Sequence, residues 1–443
     1  MSVRIIKTDD PLNDAAVAQV RDMLRAGGLT AAAAGQIDVP AAVARIISDV
    51  ERRGDQAVID LTRQLEGVEL TPQTLRVSAA EIGTAHAAAD GAFMDLMRRV
   101  IANIRAYQQS ILLEAPAPLK RGGRQLGVRY TPIDRVGAYI PGGSGTGAVL
   151  VSSVLMTLVP AQVAGVRQIA LVSPPTTDGD ISPLVLAVAG ELGLDEVYRV
   201  SGTPGVAALA VGTESIPAVH KIVGPGSAFI AEAKRQLFGR VGIDSIAGPS
   251  EVLIVADQSA DATWVAADML AQAEHDPGSA VLVTYSAKLA EEVKFAIERQ
   301  IVTLDRLEAL RAALERYSAI IVVPDLAAAC DVANDFATEH LQIITEDDAA
   351  ALERIRHAGA IFVGPHTPVP LGDYTAGPSH VLPTGGTAKF FGPLSCNDFL
   401  KASSVVSYDA AALAEDADDV CDFATREGLT AHAHAVEIRR ENE

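Results

Sequence analysis

The chain has 443 residues and a net charge of −20, with 49% hydrophobic and 21% charged residues. Its length favours two or more domains, and its composition is that of a soluble globular protein rather than a disordered one. The acidic balance argues against binding to nucleic acids or to anionic membrane surfaces, because both require a basic face on the protein.

Three helical regions are predicted at the start of the chain. Apolar side chains recur about one helical turn apart over residues 10–30, 39–65 and 79–113, which is the pattern of helices that bury one face. We interpret these stripes as core packing.

From Arg135 onward, short β-rich runs alternate with helical segments. RVGAYI, QIALVS, EVYRV and HKIV form a first set, and EVLIVAD, AVLVTY, AIIVVP, LQIIT and AIFV form a second set from Glu251. This alternation predicts βαβ units, parallel sheets and two α/β domains. The last fifty residues, from about Leu394, return to a helical pattern with little sheet. Such a tail either wraps its own subunit or docks on a partner.

A glycine-rich stretch follows the first of these predicted strands. Backbone amides in such a turn, next to a helix N-terminus, can bind phosphate. The spacing is Gly143-x-Gly145-x-Gly147, which is neither the GxGxxG fingerprint nor a P-loop. A dinucleotide site and a plain tight turn are both open at this point.

Polar residues cluster in the segment 338–383. Glu339 and His340 are adjacent, Asp373 lies in a Gly-Asp-Tyr turn, and His380 follows seven residues later. Two runs, 341–344 and 360–363, are predicted as strands that end in these polar loops, since α/β proteins place reactive groups on loops at strand ends. The Glu339–His340 pair suits general acid–base catalysis, but a surface glutamate beside a partly buried histidine is an equally simple interpretation.

Four polar side chains distant in the sequence form a candidate metal set. Gln272 and His275 lie three residues apart at the end of a predicted helix and therefore share a face. His432 and His434 point to opposite sides of the last helix, so at most one of them reaches a given site. Each residue alone is more often structural, but Gln, His, Asp373 and His together suit zinc, and also manganese or cobalt.

The three cysteines, Cys330, Cys396 and Cys421, form no CxxC motif and are expected to be reduced thiols. None adjoins the candidate site residues, so catalysis through a nucleophilic cysteine is not favoured. No apolar run approaches the ~20 residues that span a bilayer, and the N-terminus lacks a signal-peptide core. We therefore expect a cytoplasmic protein.

The sequence resembles the histidinol dehydrogenase family over nearly its whole length. The matching motifs, in chain order, are VGAYIPGG, SSVLM, GTESIP, KIVGPG, GPSEVLIVAD, QAEHDP, TEHLQI, LGDYTAGPSHVLPT and EGLTAHAHAV. Members of this family are zinc- and NAD-dependent enzymes that complete histidine biosynthesis. The resemblance implies a four-electron oxidation of L-histidinol to L-histidine, through a bound aldehyde, with two NAD.

The resemblance also implies roles for particular residues. The acid–base pair would be Glu339 and His340, with one zinc ion per subunit held by Gln272, His275, Asp373 and His432. Substrate contacts would be His340, the four zinc ligands, Ser250, His380 and Glu427, and cofactor contacts would be Tyr139, Pro204 and Ser227. His432 would come from the partner subunit's tail, so a homodimer with shared active sites is expected.

The implied fold consists of two incomplete Rossmann-like domains with parallel sheets, helical extensions at both termini and an exchanged tail. Residues 1–30 would be the N-terminal extension, and 31–133 with 245–393 the domain that holds the metal and catalytic residues. Residues 134–244 would be an inserted NAD-binding domain, and 394–443 the tail.

Two positions depart from the family pattern. SGTPGVAALA places Pro204 where glutamine is typical, and GPGS places Ser227 where asparagine is typical. Both changes concern NAD binding and leave the metal and acid–base residues intact. Two alternatives stay open: a related dehydrogenase of another small alcohol, such as a sulfonated diol, and a catalytically inactive metal-binding scaffold.

Overall fold

The computed structural model describes residues 3–25, 37–141, 150–275 and 277–440. The glycine-rich turn at 143–147 lies outside the described residues. In chain order, the strands are β1 (Arg4–Lys7), β2 (Leu119–Arg121), β3 (Arg124–Pro132), β4 (Arg135–Tyr139), β5 (Gln168–Ser173), β6 (Val197–Arg199), β7 (Lys221–Val223), β8 (Gly242–Ile243), β9 (Ser250–Ala256), β10 (Gly278–Thr284), β11 (Ala319–Val322), β12 (His340–Ile344), β13 (Ala360–Val363) and β14 (Leu400–Tyr408).

The helices surround these strands. In chain order they are α1 (Ala15–Leu24), α2 (Val39–Arg53), α3 (Asp55–Glu66), α4 (Pro72–Leu75), α5 (Ala79–Ala88), α6 (Gly91–Ile111), α7 (Val151–Val163), α8 (Pro183–Glu191), α9 (Gly202–Val211), α10 (Ala228–Leu237), α11 (Ala262–Ala273), α12 (Ala287–Gln300), α13 (Leu307–Arg316), α14 (Leu326–Phe336), α15 (Asp348–Arg354), α16 (Val369–Tyr374), α17 (Ala410–Arg426) and α18 (Thr430–Arg440). Among the described residues, no helix has both the length and the apolar content needed to cross a bilayer.

Two parallel sheets confirm the predicted α/β fold. The larger sheet has the order β1-β11-β10-β9-β12-β13, and the smaller one has the order β6-β5-β4-β7-β8. Every neighbouring pair in both sheets is parallel. All nine predicted β-rich runs from Arg135 onward are strands, whereas β1, which pairs with β11 at one edge, was not predicted.

The early helices pack against the five-stranded sheet. Val43 and Val58 of α2 and α3 share a buried cluster with Tyr198 of β6. Ile104 of α6 lies in a second cluster with Val136 of β4. The early helices thus pack on the sheet of the proposed NAD-binding domain. The division of the chain into domains stays a prediction.

Two of the predicted helices are each divided in two by local chemistry. Gly54 has φ of +55°, a left-handed conformation that side chains disfavour, and it separates α2 from α3. Asp90 accepts a hydrogen bond from the Phe93 backbone N–H at 2.8 Å, and so begins α6 as an N-cap after α5 has ended.

The tail starts with a strand that was not predicted. β14 pairs antiparallel with β3 along nine residues, and β2 completes a three-stranded sheet. Its run KASSVVSY lacks apolar–polar alternation, which is why its sequence does not identify it. Val406 of β14 is 65% exposed. α17 and α18 follow and form the helical end of the tail.

Candidate functional site

The site residues lie at the amino end of the six-stranded sheet. Ser250 and Glu251 are the first two residues of β9, and His340 is the first residue of β12. Gln272 is near the end of α11, just before β10 begins. The expectation that the strand at 341–344 ends in the catalytic loop is therefore wrong, because the acid–base pair precedes this strand. Open α/β sheets usually bind ligands at the opposite, carboxyl end.

Two glycines allow backbone segments to meet closely at this end. A Cβ atom at Gly278 would lie 2.3 Å from the backbone oxygen of Gln272, and one at Gly359 would lie 2.5 Å from that of Glu339. Any side chain at either position would push α11 or the Glu339 peptide away from its neighbouring strand.

Glu339 is a buried carboxylate with two donors. The Ser250 hydroxyl donates to its Oε2 at 2.5 Å, and the Glu251 backbone N–H donates to the same atom at 3.0 Å. Burial raises the pKa of Glu339 to about 7, although the Ser250 hydroxyl acts in the opposite direction. A carboxyl group with such a pKa can accept or release a proton near neutral pH.

His340 is oriented through one ring nitrogen. Nδ1 lies 3.3 Å from the backbone oxygen of Glu251 and 3.4 Å from Glu339 Oε2. A proton on Nδ1 is donated to the Glu251 backbone oxygen and leaves the lone pair on Nε2. Nε2 is buried, makes no hydrogen bond within the described residues, and lies 3.8 Å from Asp373 Oδ1. Burial lowers the pKa of His340, so its neutral form is favoured and can act as a base.

Gln272, His275 and Asp373 flank this pair. The Gln272 Nε2 donates to Ser250 Oγ at 2.6 Å, so the amide Oε1 remains as the atom for a cation. Burial raises the pKa of Asp373 to about 6, against the effect of His340. Burial lowers the pKa of His275, and the charge of Glu339 acts in the opposite direction. An amide oxygen, an imidazole and a carboxylate are ligands that zinc accepts.

The metal set is nevertheless incomplete in one chain. Among the described residues, no group of three or more His, Cys, Asp and Glu side chains is arranged to hold a metal ion. Zinc commonly takes four ligands, so a zinc site at these three donors would need a fourth ligand. His275 is exposed in the single chain, which leaves room for that ligand.

His380 links the site to the five-stranded sheet. Its Nδ1 lies 3.1 Å from the backbone oxygen of Asp373, and its Nε2 lies 3.1 Å from Oγ of Ser153 on α7. Burial lowers the pKa of His380 to about 4, so the ring is neutral near pH 7.

The tail residues do not join the site within one chain. Glu427 follows α17 and His432 lies on α18, and both side chains are exposed. No hydrogen bond or ion pair in the described part of the chain connects either residue to Glu339, His340 or Asp373.

The predicted cofactor residues lie at the carboxyl ends of strands in the five-stranded sheet. Tyr139 is the last residue of β4 and is buried. Pro204 is buried in the first turn of α9, where a helix makes no use of the missing N–H. Ser227 is the exposed N-cap of α10 and caps no backbone N–H with its side chain. Proline thus costs α9 no helical hydrogen bond, and Ser227 keeps a hydroxyl available.

Glu251 is the site residue that the sequence alone did not identify. It stands beside Ser250 in the motif GPSE, but an acidic residue inside a β-rich run gives no sign that its side chain reaches the acid–base pair. Its contacts require the folded chain.

The comparisons with known proteins agree with one another. The sequence model described as histidinol dehydrogenase matches residues 14–440. "Histidinol dehydrogenase" of Rhodopirellula baltica is 48% identical over 399 residues, which are 90% of this chain and 86% of the relative. "Histidinol dehydrogenase" of Halalkalibacterium halodurans is 48% identical over 403 residues, which are 91% of this chain and 94% of the relative.

A solved structure has the same fold. The crystal structure of histidinol dehydrogenase from Elizabethkingia anophelis superposes with a TM-score of 0.90 and 29% sequence identity, covering 99% of this chain and 98% of that one.

Proposed function

This chain belongs to the histidinol dehydrogenase family, and we propose that it oxidises L-histidinol to L-histidine, with two NAD reduced per turnover. It is an oxidoreductase that acts on a small molecule. The observation that best supports this reaction is the buried pair of Glu339 and His340, because alcohol oxidation requires a base and aldehyde hydration requires activated water. The alternatives of another alcohol or an inactive scaffold are not favoured by the relatives.

His340 acts first in the proposed reaction. Its Nε2 accepts the hydroxyl proton of the alcohol, and the carbinol carbon loses a hydride to become an aldehyde. Glu339 then takes a proton from water, whose oxygen adds to the aldehyde carbon, while the aldehyde oxygen takes the proton held on His340; the product is the hydrate. Loss of a second hydride and of a hydroxyl proton from the hydrate gives the carboxylic acid. Each hydride would be accepted by a separate NAD, so two NAD are reduced per turnover.

Zinc fits the proposal as a positioning group. Gln272, His275 and Asp373 would hold it together with His432 of the partner subunit. When bound, the ion would polarise and orient the imidazole and amine of the substrate. Ser250, His380, the tail residue Glu427 and the metal ligands would complete the substrate contacts.

NAD is proposed to bind the five-stranded sheet near Tyr139, Pro204 and Ser227. The exposed hydroxyl of Ser227 at the start of α10 is suited to a phosphate or ribose oxygen. Pro204 offers no amide to the cofactor, so weaker NAD binding than with glutamine is expected.

A homodimer with shared sites is part of the proposal. The exposed positions of His432 and Glu427, together with the exposed Val406 on β14, support a tail that contacts a second subunit. The proposed location is the cytoplasm, where the three free thiols would stay reduced.

One experiment tests the reaction and the metal together. Purified protein is analysed for bound metal, then assayed for NADH formation with L-histidinol and with a sulfonated diol before and after chelation. We expect about one zinc per subunit, activity on histidinol, and loss of activity on chelation that zinc restores. Turnover of the diol but not of histidinol would refute the proposed substrate.

A further inference from the structure

Glu251 is a buried carboxyl group that the proposed reaction does not use. It is 1% exposed, and its Oε1 accepts hydrogen bonds from the backbone N–H groups of Glu339 at 3.3 Å and Gly385 at 2.8 Å. Its Oε2 is buried, and no described residue hydrogen-bonds to it. Burying a carboxyl oxygen without a hydrogen bond costs free energy of folding. A residue kept at this cost is a candidate for a functional role.

The main chain of Glu251 contacts both residues of the acid–base pair. Its N–H donates to Glu339 Oε2 at 3.0 Å, and its carbonyl oxygen lies 3.3 Å from His340 Nδ1. The backbone of Glu251 therefore positions the Glu339 carboxylate and the His340 ring. Its side chain holds the backbone N–H of Glu339.

The Gly385 turn makes a second hydrogen bond to the segment just before β9. Oγ1 of Thr384 accepts a hydrogen bond from the Gly248 backbone N–H at 2.5 Å. Gly385 has φ of +63°, in the left-handed region. The turn at 384–385 is thus hydrogen-bonded both to Glu251 at the start of β9 and to Gly248 just before it.

We propose that Glu251 is a positioning residue, whose carboxyl oxygen locks the Glu339 peptide and the Gly385 turn so that Glu339 and His340 keep their catalytic geometry. This inference rests on the proposed roles of Glu339 and His340.

The protonation state of Glu251 suits this role. Burial, together with the charge of Glu339, raises the pKa of Glu251 to about 8, so the group is mostly neutral near pH 7. A neutral acceptor holds the two N–H groups without adding a second negative charge beside Glu339. Glutamine has the same acceptor and no charge, and should replace it.

Three variants of Glu251 test the proposal. Glu251→Gln keeps the acceptor oxygen, Glu251→Met keeps the shape without it, and Glu251→Asp withdraws the carboxyl by one methylene. kcat and KM for L-histidinol are measured by NADH formation, with melting temperature as the measure of folding. We expect kcat within about threefold of the unsubstituted protein for Gln. For Met and Asp we expect kcat to fall tenfold or more while KM changes less than about threefold, as when only orientation is lost.

Asp257 provides a matched control at the other end of β9. It is 2% exposed and accepts hydrogen bonds from Ser259, Tyr285 and the Glu346 N–H. Asp257→Asn should lower the melting temperature and leave kcat unchanged.

The following results would contradict the proposal. A folded Met variant with kcat near that of the unsubstituted protein would overturn the positioning role. So would a fall in kcat matched by a rise in KM, or an equal loss of kcat in Asp257→Asn. If the Met variant does not fold, the Asp variant is judged by the same criteria. Failure of the unsubstituted protein to oxidise histidinol would instead refute the proposed function.

Discussion

Replacing Ser250 with alanine is expected to move the pH dependence of turnover to higher pH. The Ser250 hydroxyl donates to Glu339 Oε2 at 2.5 Å and favours its ionised form. A hydrogen bond to a charged group contributes about 1.5–3 kcal/mol, and one pKa unit corresponds to about 1.4 kcal/mol. Losing this bond should therefore raise the pKa of Glu339 by about one to two units.

The direction of the shift follows from the proposed chemistry. Glu339 activates water only when ionised, so the acidic limb of kcat should move upward by the same one to two units. The assay is kcat for NADH formation at saturating L-histidinol from pH 5 to 10.

Ser318→Ala is the control for Ser250→Ala. Ser318 is a buried serine that also makes two hydrogen bonds, to the Ala313 oxygen and from the Ala280 N–H, but it contacts no proposed site residue. An acidic limb that coincides in the two variants would show that Ser250 does not control the ionisation of Glu339.

Three further predictions address the base, the subunits and stability. His340→Asn should lower kcat by about 10²–10⁴-fold with the fold intact by circular dichroism, since the general base is lost; a rate near that of the unsubstituted protein would refute the assignment. Equal mixing of inactive His275→Ala and His432→Ala subunits should restore on the order of a quarter of the activity through hybrid sites, and no recovery after proven exchange would argue against sharing. Arg135 donates to Glu196 at 2.8 and 2.6 Å and lowers its pKa. This pair should stabilise the fold above pH ~4 and lose its effect as the pH falls through the lower folded-state pKa of Glu196. In Glu196→Gln, the free energy of unfolding measured with urea should therefore fall less steeply as the pH is lowered. An unchanged slope would contradict this prediction.

The sequence predicts the fold well where its patterns are local. The β-rich runs of both parallel sheets need only apolar residues between helices, and each run is a strand in the structure. β14 is not predicted, because its own sequence lacks a strand pattern and its pairing partner β3 is distant in the chain. The division at Gly54 depends on a single left-handed residue inside a continuous helical pattern.

The site is less accessible to sequence reasoning, since its contacts join distant segments. Adjacency alone suggests Glu339 and His340, but the bond from Gln272 to Ser250 spans 22 positions. The role inferred for Glu251 depends on a turn 134 positions away. His432 cannot be placed in a site by the fold of one chain.

The two ends of the six-stranded sheet are far enough apart that substitutions at one end need not affect the residues at the other. β9 has seven residues, and at ~3.3 Å per residue its ends are about 20 Å apart. That distance exceeds the ~8–10 Å range over which solvent-exposed charges interact in physiological salt. Exposed residues of the far-rim loop that begins at Glu346 can therefore accumulate thermostabilising substitutions without the usual penalty in turnover, and they are a suitable place to attach a label or a surface anchor.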